Sequence, residues 1–332
     1  MRLKLFGCAA LMLAALPCSA GEHVVLWQEP RTITAHDWIW GAGGEGRAPK
    51  PPFEFEGEDF NGTNPKIRVR DAKGDRWTVK FGGENHSEVF ASRLLYAVGY
   101  MTQPSYYVAG GTITGVHGLK RAKAFIGRDG SFRFARFKLR DHKTLAPVEG
   151  AAWSWNDNPF VGTTQLNGLK ILMMLTSNWD GKDARDGEGS NTSVYAKPKS
   201  DGSKRFYAFD DWGASMGKWG GFFERDKWNP EGYAQQTKEF ARSTADGRIE
   251  WGYKGKHDPD ITSGISVDDV RWLLTYLSRA TGDELRAGLE ASGATAAETE
   301  VYTRSIRERI THLQRLVDGA SPTTASVKRG RN

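Results

Sequence analysis

Cysteine is almost missing from this chain: of 332 residues only Cys8 and Cys18 are cysteines, and both lie in the first twenty positions. Those positions open with Met1-Arg2-Leu3-Lys4, run apolar from Leu5 to Leu16 and end in Pro17-Cys18-Ser19-Ala20. A basic start, a short apolar core and a small-residue exit predict a secretory signal peptide over 1–20, cut near Ala20, and hence export to the periplasm or beyond. The mature chain then has no thiol. That excludes a disulfide framework and thiolate catalysis, and leaves stability to the core. The apolar run is also too short to span a bilayer. Membrane attachment would come only through a lipid on Cys18, and Pro17 is a poor fit to the small residue needed there.

Other absences narrow the class further. The histidines (His23, His36, His86, His117, His142, His257 and His312) are scattered, with no His-Glu-X-X-His spacing, which argues against a zinc hydrolase. No internal repeat is visible. Charge of one sign is scarce: without Arg2 and Lys4 the 46 basic side chains become 44 against 40 acidic ones. Much of that excess sits in Lys328-Arg329-Gly330-Arg331, inside a Ser/Thr/Pro-containing stretch that reads as disordered, so nothing points to nucleic acid. What is present is aromatic: 11 % of residues, with all twelve Trp beyond the leader. The length suffices for one large domain or two lobes sharing a cleft.

The pattern divides the mature chain in four. An extension over 21–52 holds a strand at 24–27 and a Gly/Pro/Lys-rich stretch over 41–52. A β-rich part over 53–150 follows. There Ile67 and Val69 alternate with Arg68 and Arg70, a turn sits at 71–75, and Trp77, Val79 and Phe81 alternate with Thr78 and Lys80. A helix comes next, capped by Asn85 or Ser87, apolar at Phe90, Leu94, Ala97 and Val98, and ended by Gly99. Further strands are expected over 106–108, 122–126 and 132–139. The part over 151–318 is mainly helical. It starts with a helix over 164–177 that is apolar nearly all round and hence buried. A polar loop (178–191), a strand (193–196), a hairpin turn (199–203) and a strand (205–209) follow, then helices over 267–280, 282–291 and 296–316. The tail over 319–332 is basic and disordered. The class is α+β, with a cleft between a β-rich and an α-rich half.

Three short motifs carry chemistry. Lys80 lies on the strand face opposite Trp77, Val79 and Phe81, and the next helix has Glu88 in its first turn, where a carboxylate can hold a strand lysine. Glu84 competes for that role from the preceding loop. Asn178-Trp179-Asp180-Gly181-Lys182 is a loop after a buried helix; an Asp there can accept a hydroxyl proton and a nearby Lys can balance phosphate charge. Asp211-Trp212-Gly213 closes a strand, where a carboxylate can bind Mg²⁺, with Asn191 as a second ligand. Asp210 is the alternative to Asp211, on the opposite strand face. Taken singly, each motif also reads as an ordinary loop or a solvated lysine.

Their order is more telling than any one of them. Strand Lys, helix Glu, buried helix, Asp-X-Lys loop, Asn, hairpin and Asp-X-Gly follow the succession of protein-kinase-like enzymes. The loop 178–182 resembles the kinase His-Arg-Asp-Leu-Lys loop, Asp211-Trp212-Gly213 resembles Asp-Phe-Gly, and Thr78-Val79-Lys80 resembles Ala-Ile-Lys. Over 53–316 the chain also resembles a family of uncharacterised exported bacterial proteins distantly related to phosphatidylinositol kinases and toxin-type serine kinases. Shared features include Gly62-Thr63-Asn64-Pro65-Lys66, Asn158-Pro159-Phe160-Val161-Gly162-Thr163 and Asp211-Trp212-Gly213-Ala214-Ser215-Met216-Gly217.

The resemblance implies a two-lobed protein-kinase-like fold, with a β-rich N-lobe bearing one helix and a mainly helical C-lobe. It also implies a monomer using ATP and Mg²⁺. Lys80 would hold the α/β-phosphates and Glu88 would orient it; Asp180 would be the base, Lys182 would steady the γ-phosphate, and Asn191 with Asp211 would hold metal. The acceptor could be protein, lipid or sugar.

Two departures stand against this pattern. No Gly-X-Gly-X-X-Gly loop exists, so the turn at Gly62 and Thr63 would have to cover the phosphates beside Thr78. The position five residues after Asp180 is Arg185, and Asn191 comes only after an extra stretch. The alternative is therefore an inert kinase-like module that binds a protein or glycan at the cell envelope. Three further readings are weighed and set aside: calcium at Asp180, Asp183, Asp186 and Glu188, a nucleophile elbow at Ser215, and sugar stacking by Trp212, Trp219 and Trp228.

Overall fold

Alternation of large apolar and charged residues closes the first strands into a barrel. The computed structural model describes residues 23–140, 144–187, 189–198, 204–221, 223–243 and 248–319. The leader at 1–20, the turn at 199–203, Glu188 and the tail from 320 onward lie outside the described residues. The chain begins with β1 (His23–Val25) and α1 (Ala35–Trp40), then two 3-10 turns, Gly41–Gly43 and Glu45–Arg47. Next come β2 (Phe53–Asp59), β3 (Lys66–Arg70), β4 (Arg76–Phe81), α2 (Glu84–Ala97), β5 (Ser105–Thr114) and β6 (Ser131–Leu139). The five strands β2 to β6 close in the order β2-β3-β4-β6-β5, completed by parallel pairing of Phe53 and Glu54 with Ile113 and Thr114.

Period two decides what fills this barrel. Ile67, Val69, Trp77, Val79, Phe81, Phe132 and Phe137 point inward and are 3 % exposed or less. The residues between them face outward, Lys66, Arg68, Thr78, Lys80, Arg136 and Lys138 among them. The strand expected over 122–126 is instead a 3-10 turn, Ala122–Ala124, followed by a lone bridge from Ile126 to Phe132. Ala122 and Ile126 still bury themselves in the barrel, which explains their apolar signal. Helix α2 starts earlier than its expected caps, because both are used elsewhere. Asn85 donates to the Phe134 carbonyl at 2.7 Å, Ser87 donates to the Gly213 carbonyl at 3.0 Å, and Gly83 takes the N-cap position.

The remainder is mainly helical. It contains β7 (Ala146–Pro147), α3 (Thr164–Leu175), β8 (Thr192–Ala196), β9 (Lys204–Phe209), α4 (Pro230–Gln235), β10 (Ala241–Ser243), β11 (Ile249–Trp251), α5 (Asp258–Thr262), α6 (Val267–Leu277), α7 (Gly282–Glu290) and α8 (Ala296–Gly319). Helix α3 is the axis of the larger core. Thr163 caps it by accepting from the Leu166 N–H, and every residue from Leu166 to Leu175 is buried, as an all-round apolar helix requires. Each of its large apolar side chains contributes about 1.5–3 kcal/mol by burial. Helices α6 and α7 begin with capping boxes, Ser266 with Asp269 and Thr281 with Glu284. A four-stranded sheet, β1-β9-β8-β7, with β1 parallel to β9, adds Val194 and Phe209 to the same core as α3. The chain is thus an α+β protein, strand-rich first and mainly helical after. Among the described residues no helix is long and apolar enough to cross a membrane.

The extension spans both regions. β1 joins β9, and α1 packs on α2 and α7. Further along, the Tyr106 hydroxyl donates to the Gly44 carbonyl at 2.9 Å, and Lys73 of the β3–β4 turn donates to the Ala48 carbonyl at 2.8 Å.

Candidate functional site

Lys80 is on the outer barrel face, as the alternation requires, yet it is only 5 % exposed. Two carboxylates of α2 enclose it, one helical turn apart: Glu84 Oε2 and Glu88 Oε1 each lie 2.6 Å from its Nζ. The preference for Glu88 over Glu84 therefore resolves into both. Because α2 begins at Glu84, that residue occupies the first turn and Glu88 the second. Glu88 also pairs with Arg136, which stands directly across from Lys80 on β6. Glu84 is held in turn by Lys227 and by Asn64, whose Nδ2 donates to Oε2 at 2.6 Å.

Asp211 completes the group. One oxygen each of Glu84, Glu88 and Asp211 lie within 4.8 Å of one another. Gly213 has no room for a side chain, since a Cβ would stand 2.7 Å from Glu84 Oε2, and its N–H donates to Asp211 Oδ1 at 2.9 Å. Burial pushes Asp211 upward, but Lys80, the Gly213 N–H and Arg136 outweigh it and hold the carboxyl well below its ordinary value. Burial likewise pulls Lys80 down, and Glu88, Asp211 and Glu84 more than reverse this, so the ammonium stays charged. Lys66, across from Lys80 on β3, is lowered by burial; Asp59 opposes this, and Lys80 and Arg136 reinforce it.

The loop after α3 faces this cluster. Arg309 of α8, fully buried, donates to the Leu175 carbonyl at 2.8 Å, the Ser177 Oγ at 2.9 Å and the Tyr233 carbonyl at 2.8 Å. It thereby satisfies the open end of α3 and steadies Ser177, whose φ is 57°. Asn178 then spans two motifs: its Nδ2 donates to the Asp211 carbonyl at 3.1 Å and its Oδ1 accepts from the Asp180 N–H at 3.0 Å. Gly181 packs where a Cβ would meet Ile261 at 2.6 Å and the Lys256 carbonyl at 2.7 Å. Lys182 Nζ lies 3.5 Å from Asp180 Oδ2. Trp179 lies under the Arg225 guanidinium, 4.2 Å from its ring centre.

A cleft of about 570 Å³ opens between the barrel and the β8–β9 pair. Thr78, Lys80, Glu88, Asn191, Asp210 and Asp211 line it, with Lys66, Arg136, Lys138, Arg140 and Arg47. Asp180 and Lys182 adjoin it through Asn191. Gly62 and Thr63 do not line it; the Thr63 carbonyl is taken by Arg121, and the turn reaches the site only through Asn64.

The two open choices separate in space. Arg185 is bound to Asp183 Oδ2 at 2.6 Å and to Asp260 at 2.7 Å, while Asn191 lines the cleft with Asp211. Asp210 accepts from the Tyr195 hydroxyl at 2.6 Å and stands apart from the carboxylate cluster that holds Asp211.

No protein-family model, curated protein or solved structure matches this chain.

The readings set aside find structural explanations. Asp186 is bound by Lys256 at 2.8 Å and by His257 at 2.7 Å, so with Arg185 on Asp183 these carboxylates of the calcium reading already have cations. The Ser215 hydroxyl is buried without a hydrogen bond, in an irregular stretch that leads into no helix. Trp212 and Trp219 are core residues, and Trp228 packs between His86 and Tyr302.

Arg136 and Lys227 escaped the sequence reading. Arg136 had one signal, a cation on the outward face of a strand of the same barrel as Lys80. Lys227 had none.

Proposed function

We propose that this chain is a phosphotransferase of two-lobed, protein-kinase-like fold that moves the γ-phosphate of ATP to an acceptor hydroxyl. The observation that carries the reading is the meeting, at one cleft, of Lys80 held by two α2 carboxylates, Asp211 beside them, and Asn191, which holds Asp180 at the cleft's border. Six cationic side chains against three carboxylates line the cleft, a balance that suits a polyphosphate. The donor set fits a magnesium ion, because Asp211 and Asn191 offer hard oxygen ligands on one cleft wall. Bound there, the ion would supply positive charge to offset that of the phosphates.

The residues of the chain divide the remaining work. Lys80, kept charged and fixed by Glu84 and Glu88, binds phosphate oxygens and leaves the lysine little freedom to lose on binding. Asp180 accepts the acceptor's proton as its oxygen attacks the γ-phosphorus, and the bond from that phosphorus to the β,γ-bridging oxygen breaks to release ADP. Asn191 and Lys182 fix the orientation of the Asp180 carboxylate. Arg136 secures Glu88 from the far side, a role that a lysine on the bare strand would lack.

Calorimetry of the mature protein with ATP and Mg²⁺ tests the proposal. Mg²⁺-dependent binding is expected, with Asp180→Ala binding nucleotide but losing all turnover. Absence of Mg²⁺-dependent binding overturns it, and binding without wild-type turnover leaves the inert module.

A further inference from the structure

The outer barrel face holds more positive charge than a triphosphate needs. Strands β3, β4 and β6 lie side by side, and their registers align three transverse rows of outward residues. Lys66, Lys80 and Arg136 form the first row, and Arg68, Thr78 and Lys138 the second. Arg70 and Arg76 form the third with Arg140, whose N–H donates to the Arg76 carbonyl at 2.9 Å. Thr78 alone breaks the run of cations. Successive rows stand about 6.7 Å apart along the strands, and neighbours within a row about 4.8 Å apart.

Counter-charge is unevenly supplied. Glu84, Glu88 and Asp211 serve the first row. In the third, Arg70 and Arg76 share Glu56 at 2.7 and 3.1 Å. Among the described residues no carboxylate pairs with Arg68, Lys138 or Arg140, and Arg68 Nε is buried without a hydrogen bond. Like charges side by side on a sheet face repel. A merely solvated face would relieve that by exposure, yet Arg68, Lys138 and Arg140 are each only partly exposed. Arg140 lines both the cleft and a second groove of about 620 Å³ that Arg68, Arg70 and Arg76 also line with Glu54 and Glu56, so four guanidinium groups stand against two carboxylates there and the track keeps a net positive charge.

We propose that this track binds a chain of linked phosphates longer than a triphosphate, lying from Lys80 past Lys138 and Arg68 toward Arg140. The inference rests on the phosphotransferase reading for the placing of the terminal phosphate at the first row. Closely repeated anions match cations set a few ångströms apart in consecutive rows, and guanidinium forks fit phosphate oxygens two at a time.

The test is calorimetry of the full mature protein in Mg²⁺ with four probes: ATP, inorganic tripolyphosphate, long-chain inorganic polyphosphate and dextran sulfate. Long-chain polyphosphate is expected to bind at least ~10-fold tighter than tripolyphosphate, because further rows engage one chain. Arg68→Gln, at a residue that lines the second groove and not the cleft, should erase much of that gain and leave ATP affinity within about twofold; Lys138→Gln, which changes a cleft residue and breaks no pairing, should weaken long-chain polyphosphate more than tripolyphosphate. Equal affinity for the short and long chains, with ATP binding intact, overturns the track and spares the phosphotransferase. Tight, Arg68-dependent polyphosphate binding without any ATP binding upholds the track and overturns the ATP reading. Dextran sulfate binding as tightly as polyphosphate overturns the claim of linked phosphates.

Discussion

Asn191 Nδ2 donates to the Asp180 carbonyl oxygen at 2.8 Å and reaches the Asp180 carboxylate at 3.3 Å, closing the loop between them. The Asn191 N–H also donates to the Lys182 carbonyl at 3.2 Å, so the residues between leave the site and return to it. Arg185 travels with the excursion and is fixed outside by Asp183 and Asp260.

Asn191→Ala is expected to lower Mg²⁺-dependent nucleotide affinity about tenfold, in the range of losses seen when a group orienting a metal site is removed. Affinity without Mg²⁺ should stay unchanged. Paired titrations with and without the ion check both statements, and an equal loss in the two would assign Asn191 to loop structure alone.

Lys80→Met removes the cation that Glu84 and Glu88 both hold. Leaving buried charge unpaired costs about 3–5 kcal/mol, read by urea unfolding at about pH 7. The pH sign follows from the lowered values of Glu84 and Asp211. In the wild type their contribution is complete above the ordinary carboxylate range and declines as pH falls toward their folded values. The variant lacks most of that contribution, so its deficit should shrink on acidification. A deficit constant with pH would contradict the pairing.

Arg309→Lys keeps a charge but loses the fork that joins the Leu175 carbonyl, Ser177 Oγ and the Tyr233 carbonyl. Burial already draws the guanidinium down to about 10, so it remains protonated at neutral pH. The substitution should cost about 2–3 kcal/mol in unfolding. Hydrogen exchange over 177–182 should quicken more than over α6, which does not depend on this contact.

Asp186 sets a separate acid response. Burial raises it, but Lys256 and His257 hold its carboxyl far below the ordinary range. Its contribution is therefore present above the ordinary carboxylate pKa and is lost as pH falls. Asp186→Asn should cost about 1 kcal/mol near neutrality and nothing in strong acid. Unfolding midpoints followed from neutral to acidic pH would show the two curves converging.

Much of the fold was legible because single elements carry their own period. Trp77, Val79 and Phe81 announce an inward strand face, and the unbroken apolar run after Thr163 announces a buried helix. Lys80, Glu88, Asn191 and Asp211 could be named from chain order, and they line one cleft. What stayed hidden depends on register between distant segments. Arg136 faces Lys80 only through the pairing of β4 with β6. Lys227 reaches Glu84 across more than a hundred residues, and no local pattern encodes that. Turn chemistry misled at Asn85 and Ser87, good caps by type whose side chains are spent on tertiary bonds. Gly62 and Thr63, expected as a phosphate cover, lie outside the cleft lining, with the Thr63 carbonyl held by Arg121.

The segment ahead of the barrel, residues 23–52, acts as a tether. It is woven into the β9 sheet at one end and fastened to the barrel at the other, by Tyr106 on Gly44 and Lys73 on Ala48. Gaping of the cleft would pull on the segment between these two anchorages, which carries α1 packed on α2 and α7. Parting the barrel from the β9 sheet would therefore have to lengthen this segment or free one of its two ends.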